Sequence, residues 1–387
     1  MTTKELDAQY VAHTYGRFPV EIVSGKGSLV YDDEGKEYID LGTGIAVNAF
    51  GVSDPEWVAA VTEQLGKFQH TSNLYYTAPC AKLAQLLCEA TGMKKVFFGN
   101  SGAEANECAI KAARKYAQDK YGEEYYNIIT LKNSFHGRTL TTLAATGQDV
   151  FHEKFTPLTP GFLYADVTDP AGLEQLVSDN KVCAVMFEAV QGEGGVNPLP
   201  DDFVAAMKKI AAERDILLIA DEGQGGNGRS GARYGYMNLG LQPDIVTTAK
   251  GIGGGLPLGL CMLGEKVENT YGPGDHGSTF GGNPVACAGA INIFSRLTDE
   301  LLADVRAKSK LIFDTMTGAP GVKSVTGMGL MIGIETEKPA GDVVAACREN
   351  GVLVLTAKTK VRLLPALNIP TEQLKKALNV LLAACAV

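Results

Sequence analysis

The sequence predicts an α/β protein with a large domain built on a mainly parallel sheet covered by helices, plus a smaller α+β domain. Short apolar runs alternate with helical periodicity from about residue 94 to 265. Those runs are apolar on both faces, as strands covered by helices on both sides must be. After Asn283 the texture changes to a long helical stretch followed by strand-like and helical segments in turn.

The elements follow in order. Gly27-Ser-Leu-Val-Tyr and Lys36-Glu-Tyr-Ile-Asp flank the turn signal Asp32-Asp-Glu-Gly and read as a short meander within residues 27–50. Ser53 and Glu56 have capping-box spacing, and Trp57, Val61, Leu65 and Phe68 share the face of the helix they would open. The strands expected in the large domain are Lys95-Val-Phe-Phe, Asn127-Ile-Ile-Thr-Leu, Cys183-Ala-Val-Met-Phe, Ile216-Leu-Leu-Ile-Ala, Asp244-Ile-Val-Thr-Thr and Leu258-Gly-Leu-Cys-Met-Leu. Helices are expected over 103–120 and 202–214. Beyond Asn283 a helix is expected through Phe313, then a strand-like run from Val322 to Glu335. A helix over 341–350, strands over 352–356 and 361–364, and a final helix from Thr371 complete the chain. The expected division is 1–50 packing with the small domain, 51–282 as the large domain and 283–387 as the small one.

Composition excludes several classes of function. A net charge of −9 with dispersed acidic residues is no nucleic-acid footprint. No apolar run is long enough to span a bilayer, and the N-terminal residues lack the apolar core of a signal peptide. The eight cysteines form no C-x-x-C pair and read as reduced thiols of a cytoplasmic protein. The five histidines show no zinc spacing, so no metal site is expected. The 45 glycines cluster in short loops, as close backbone approach to a ligand requires.

Three strand ends carry candidate chemistry. After Phe97-Phe-Gly-Asn, a helix opens at Ser101 with Gly102 and Ala103 in its first turn. Backbone N–H groups left bare by such small residues suit a phosphate, although an ordinary capped helix reads the same way. The run Ile216-Leu-Leu-Ile-Ala ends in Asp221 at the carboxyl edge of the sheet, where a poorly solvated carboxylate needs a cationic partner. A protonated pyridine nitrogen is one such partner, and a turn or N-cap role is the plain alternative. Lys250 ends the run from Asp244 and enters a glycine-rich loop. A desolvated lysine there has a lowered pKa and forms imines, whereas a surface strand-end lysine does not. Two loops add Phe135, able to stack on a heterocycle, Arg138, able to clamp a carboxylate, and Ser278 with Thr279. Their conjunction at the edges of one sheet, rather than any one of them, points to a cofactor enzyme.

At these residues the sequence resembles the class III aminotransferases of pyridoxal-phosphate fold type I, over nearly its whole length. The matching stretches are Ile45-Ala-Val-Asn, Asn100-Ser-Gly-Ala-Glu-Ala-Asn, Asn133-Ser-Phe-His-Gly-Arg-Thr, Val190-Gln-Gly-Glu-Gly-Gly, Ala220-Asp-Glu, Ala249-Lys-Gly and Gly277-Ser-Thr-Phe-Gly-Gly-Asn-Pro. Thr71-Ser-Asn-Leu-Tyr-Tyr, and Gly44 where ornithine-specific relatives place a tyrosine, look like the acetylornithine branch. The resemblance implies pyridoxal 5'-phosphate as cofactor, with Lys250 as the Schiff-base lysine and proton shuttle, Asp221 on the pyridinium and Gln224 on the phenolic oxygen. Gly102 and Ala103 would bind the phosphate together with Thr279 from the partner subunit of a homodimer. Glu222 and Gly223 would complete the cofactor contacts, and Phe135 would stack on the ring. Arg138 and Ser278 would bind substrate. Glu193 would mask Arg362 for the amine donor and free it for 2-oxoglutarate. The implied reaction passes the δ-amine of N2-acetylornithine to 2-oxoglutarate, and the same chemistry on another ω-amine, or an aminomutase of this fold, stays open.

The chain departs from the family at three places. Asp221-Glu-Gly-Gln-Gly-Gly stands for the usual Asp-Glu-Val-Gln-Thr-Gly, so Gly223 removes the valine that packs on the ring. Ala189 replaces a proline, and Gly51-Val-Ser-Asp-Pro replaces Gly-His-x-His-Pro.

Overall fold

The computed structural model describes residues 1–386. Its centre is a seven-stranded sheet in the order Lys95–Gly99, Gly259–Leu263, Ile245–Thr248, Leu217–Glu222, Val182–Phe187, Asn127–Leu131, Phe162–Ala165. Gly259–Leu263 runs antiparallel to both of its neighbours. The remaining pairs are parallel. The central strands Val182–Phe187 and Leu217–Glu222 are buried at every position, which is why their sequences read as unbroken apolar runs. Phe162–Ala165 was not expected. It is an edge strand of four residues, mostly half-buried, and so lacks the doubly buried signal.

Helix Gly102–Tyr121 covers one face. Ser101 caps it by accepting from the Glu104 N–H at 3.2 Å, and it ends at Gly122, whose φ of 113° a side chain would resist. Its buried stripe is mostly alanine (Ala105, Ala109, Ala112, Ala113, Ala117), which lets the helix lie close on the sheet.

Two expectations are corrected here. The helix expected to open at Ser53 is capped instead by Asp54, which accepts from Trp57 N at 3.0 Å and leaves Pro55 at the first helical position. It stops at Leu65, so Phe68 lies beyond it. The long helix after Asn283 is two helices, Pro284–Ser295 and Asp299–Met316, because Thr298 starts a new one by capping Leu301 N. The first of them packs against Pro55–Leu65 and Ala78–Thr91.

The run from Val322 folds as a hairpin, Val322–Met328 with Met331–Thr336, in a second sheet with Lys360–Leu363 and Leu355–Ala357. The N-terminal meander Ile22–Lys26, Leu29–Asp32, Glu37–Asp40 forms a third sheet, closed by Val352–Leu353 parallel to Glu37–Asp40. Residues from the two ends of the chain thus share one sheet. Among the described residues, no helix is long and apolar enough to cross a membrane.

Candidate active site

A cavity of about 450 Å³ opens at the carboxyl edge of the central sheet. Gly102, Ala103, Phe135, Glu193, Asp221, Gly223, Gln224 and Lys250 all line it. Residues spread over nearly 150 positions of sequence meet there because parallel strands present their carboxyl ends on one side.

Asp221 lies opposite Thr247 in the parallel register, so its strand and that of Lys250 are direct neighbours. Three donors hold its carboxylate. Asn106 Nδ2 (2.8 Å) and His136 Nδ1 (2.8 Å) reach Oδ2, and Gly223 N (2.9 Å) reaches Oδ1. Burial works against ionisation, but the His136 hydrogen bond and charge, with the Gly223 and Asn106 donors, outweigh it and keep the pKa below the usual carboxylate range. Asp221 is therefore a fixed, buried anion facing the cavity. Asn106 is itself set in place by Thr247 Oγ1, which donates to its Oδ1 at 2.6 Å.

Lys250 lies two residues beyond its strand, at the start of a 3₁₀ turn, with φ of 52°. A non-glycine residue in the left-handed region is uncommon and marks a constrained position. Burial holds the ammonium below its ordinary pKa. Asp221, Glu193 and Glu188 oppose that shift, and Arg362 adds to it. A lowered pKa provides the neutral amine that imine chemistry needs.

At the other end of the cavity stands the amino terminus of helix Gly102–Tyr121. Gly102 and Ala103 carry no more than a methyl group, so the N–H groups of its first turn are accessible to an anion. The Glu104 carboxylate is occupied outside this turn, accepting from Asn100 N (2.9 Å) and the Ser101 hydroxyl (2.9 Å).

Glu193 and Arg362 form a pair on the third side. Arg362 Nη1 donates to Glu193 Oε1 (2.6 Å) and to Gln224 Oε1 (3.2 Å), and Gln224 Nε2 donates to Glu193 Oε1 (3.3 Å). Arg362 Nε is buried without an acceptor among the described residues. Burial raises the Glu193 pKa, but the Arg362 charge and hydrogen bond, with Gln224 and Lys250, bring it below its usual value.

Four expected residues lie elsewhere. Glu222, expected among the cofactor contacts, is corrected. It follows Asp221 in a strand and so faces the opposite side of the sheet, where its carboxylate accepts from Gly235 N (2.8 Å) and Tyr236 N (2.7 Å). Arg138 is exposed and off the cavity lining, with its guanidinium 4.7 Å from the Phe151 ring centroid and 5.8 Å from that of Phe135. Ser278 and Thr279 line a separate surface cavity with His70 and Asn73. Ser278 Oγ accepts from Asn100 Nδ2 (3.0 Å), its link to the main site, and Thr279 is exposed.

Asn106, His136 and Glu188 were not anticipated. Glu188 accepts from Phe135 N (2.9 Å) and Gly192 N (3.1 Å), so it ties the Phe135 loop to the loop carrying Glu193, and burial pushes its pKa up to about 7. The only early signal was Asn106, a polar residue within an apolar helical stripe. His136, Glu188 and Asp221 have ligand atoms within 4.8 Å of one another. Each carboxylate oxygen in the group already accepts an N–H, which makes the cluster a hydrogen-bond network.

A buried carboxylate, a desolvated lysine and bare helix-end amides around one cavity fit the nitrogen, aldehyde and phosphate of pyridoxal phosphate. They define a site for a phosphate-bearing heterocycle that reacts with amines. Residues 10–385 match the model of the family described as aminotransferase class-III, and the chain belongs to that family, whose cofactor is pyridoxal phosphate. The acetylornithine aminotransferase of Haemophilus ducreyi is 49% identical over 98% of this chain and 97% of its own. Among solved structures, the N-acetylornithine aminotransferase of Stenotrophomonas maltophilia has a TM-score of 0.85 at 36% identity, covering 98% and 97% of the two chains. A Toxoplasma gondii ornithine aminotransferase, with PLP partly occupying its active site, has a TM-score of 0.93 at 32% identity, covering 99% and 93%.

Proposed function

We propose that this aminotransferase moves the δ-amino group of N2-acetylornithine to 2-oxoglutarate, giving N-acetylglutamate 5-semialdehyde and glutamate. The observation that carries the reading is the Glu193–Arg362 pair beside Lys250. An amine donor whose reacting carbon bears no carboxylate needs the guanidinium covered. The acceptor, with a carboxylate next to its keto group, needs it free. The choice of donor is supported by the name of the Haemophilus ducreyi relative.

When bound, pyridoxal phosphate supplies an electron sink for the carbon that loses its proton. In our reading the chain's own groups do the rest. Lys250 anchors the cofactor and carries the proton to and from the reacting carbon. Asp221, kept ionised by His136, Asn106 and Gly223, holds the pyridine nitrogen protonated. Gly102 and Ala103 offer the phosphate their N–H groups, Gln224 serves the ring hydroxyl and Phe135 packs against the ring. Glu193 covers Arg362 in the first half-reaction and yields it to the acceptor in the second. Arg138 and Ser278 lie off the cavity lining of the single chain, and their assignment to the donor's far end is supported by the resemblance to the family alone.

A homodimer belongs to the same reading. Leu74 (88% exposed), Tyr76 (107%) and Phe280 (61%) flank the Ser278–Thr279 loop, which Asn73 ties to their segment. Apolar side chains this exposed call for a covering surface, and a second copy would also bring Thr279 to its partner's phosphate site. Eight free cysteines suit a cytoplasmic setting.

The test compares kcat/KM for N2-acetylornithine, ornithine, 4-aminobutyrate and an N-succinyl analogue, following glutamate formed from 2-oxoglutarate. Preference for the acetylated donor is expected. Preference for unacylated ornithine would move the chain to the ornithine reading. Turnover without glutamate would remove the transferase reading.

A further inference from the structure

The cavity is lined by six glycines, and three of them have a structural reason. Gly137 (φ 136°) and Gly255 (φ 126°) have backbone angles that side chains resist. A Cβ on Gly192 would meet Gln224 Oε1 at 2.3 Å. Gly223 has neither reason. Its φ lies outside the left-handed region, and a Cβ there would find only Asp221 Oδ1 at 3.0 Å and Lys250 Nζ at 4.0 Å. The first contact is tight, requiring the carboxylate to shift by a few tenths of an ångström. The second is ordinary van der Waals contact.

Position 223 therefore sits beside both groups that, on the reading above, take the cofactor's ring nitrogen and aldehyde carbon. A side chain there would stand next to both groups, on the cavity wall. Glycine leaves bare backbone instead, and among the described residues Phe135 is the one phenyl ring on the cavity lining, which otherwise offers aliphatic side chains such as Val190 and Leu258. We propose that Gly223 leaves one face of the cofactor unpacked, so that the chain holds it by its polar ends and the Lys250 bond and releases it readily once that bond is broken. This rests on the Lys250 and Asp221 assignments. Breakage occurs in every cycle, because the amino group taken from the donor replaces the lysine nitrogen on the cofactor. With donor present and acceptor absent, the aminated cofactor leaves.

The size of the effect follows from apolar area. Each buried methyl or methylene is worth about fourfold in affinity. Gly223→Ala is expected to slow release about threefold after the adjustment at Asp221, and Gly223→Val by tenfold or more.

The experiment uses the loaded protein and both variants. Each is incubated with amine donor and no keto acid, and cofactor passing an ultrafiltration membrane is followed by its fluorescence. Before the donor is added, all three proteins are treated in parallel samples with borohydride, and the Lys250 peptide is examined for the trapped cofactor by mass spectrometry. Expected is trapping on Lys250 throughout, with release ordered wild type, Gly223→Ala, Gly223→Val from fastest to slowest. Trapping on Lys250 with equal release, or with wild type slowest, overturns the role of Gly223 alone. No trapping on Lys250 in the wild type overturns the site assignment beneath it. The alanine variant decides the order if valine crowds Asp221 too far to load.

Discussion

Replacing Glu193 by glutamine separates the two half-reactions. Arg362 has only 4% of its side chain exposed, and among the described residues the Glu193 carboxylate is its one anionic partner. The Arg362–Glu193 contact, at 2.6 Å, is a charge-assisted hydrogen bond, a kind worth roughly 1.5–3 kcal/mol. Glutamine keeps the size and a carbonyl but removes the charge, and Gln224 stays as a second acceptor at 3.2 Å. The uncovered guanidinium then attracts any donor carboxylate and holds it in the wrong place. At 1.36 kcal/mol per tenfold, the donor half-reaction should lose about 10- to 100-fold in kcat/KM, while 2-oxoglutarate reacts within a few-fold of wild type. Single-turnover absorbance of the cofactor measures each half separately, with a melting curve to confirm that the variant is folded. An equal fall in both halves would mean that the pair is only structural. An unchanged donor half-reaction would refute masking.

Three further outcomes are expected. Burial pushes Glu222 up to about 7, above its unfolded value of about 4.3, so the stability it contributes is complete below that lower value and is lost as pH rises through 7. The melting temperature of Glu222→Gln relative to wild type should therefore climb between pH 5 and 8, by the equivalent of roughly 3 kcal/mol, and a flat difference would show that Glu222 does not titrate there. Asn106→Ala leaves Asp221 with two donors and the Thr247 hydroxyl without its acceptor, so cofactor affinity by fluorescence titration should fall about tenfold, and unchanged affinity would remove Asn106 from the site's support. The double variant Leu74→Glu, Tyr76→Glu should sediment as a monomer and lose activity while keeping Lys250, whereas an intact dimer would place the interface elsewhere.

How much of the fold was legible depended on whether a signal was local. The strands Val182–Phe187 and Leu217–Glu222 could be read from sequence because burial on both faces leaves an unbroken apolar run. The helix start at Pro55 was misplaced by one residue because Ser53 and Asp54 are both plausible caps. What favours Asp54 is distant: Arg296, 242 residues away, donates to its carboxylate through Nη1 (2.6 Å) and Nη2 (3.0 Å). The break at Thr298 was local, a threonine followed by Asp299 and Glu300, but was obscured by apolar periodicity on both sides.

The site divides along the same line. Lys250, Asp221 and the Gly102–Ala103 turn could be found because strand ends and helix starts display their chemistry in adjacent residues. Glu222 enters the expected cofactor contacts through the family resemblance, although the two-residue period of a strand already puts it on the face opposite Asp221. Asn106, His136 and Glu188 were beyond local reading for a different reason. Each acts by satisfying a group from another segment: Asn106 and His136 the Asp221 carboxylate, Glu188 the N–H groups of Phe135 and Gly192. A buried anion is tolerated only when such donors surround it, so naming Asp221 from sequence already required partners of this kind to exist. What the sequence withheld was which side chains they are, and these are the residues whose replacement should weaken the cofactor site without touching the lysine that performs the chemistry.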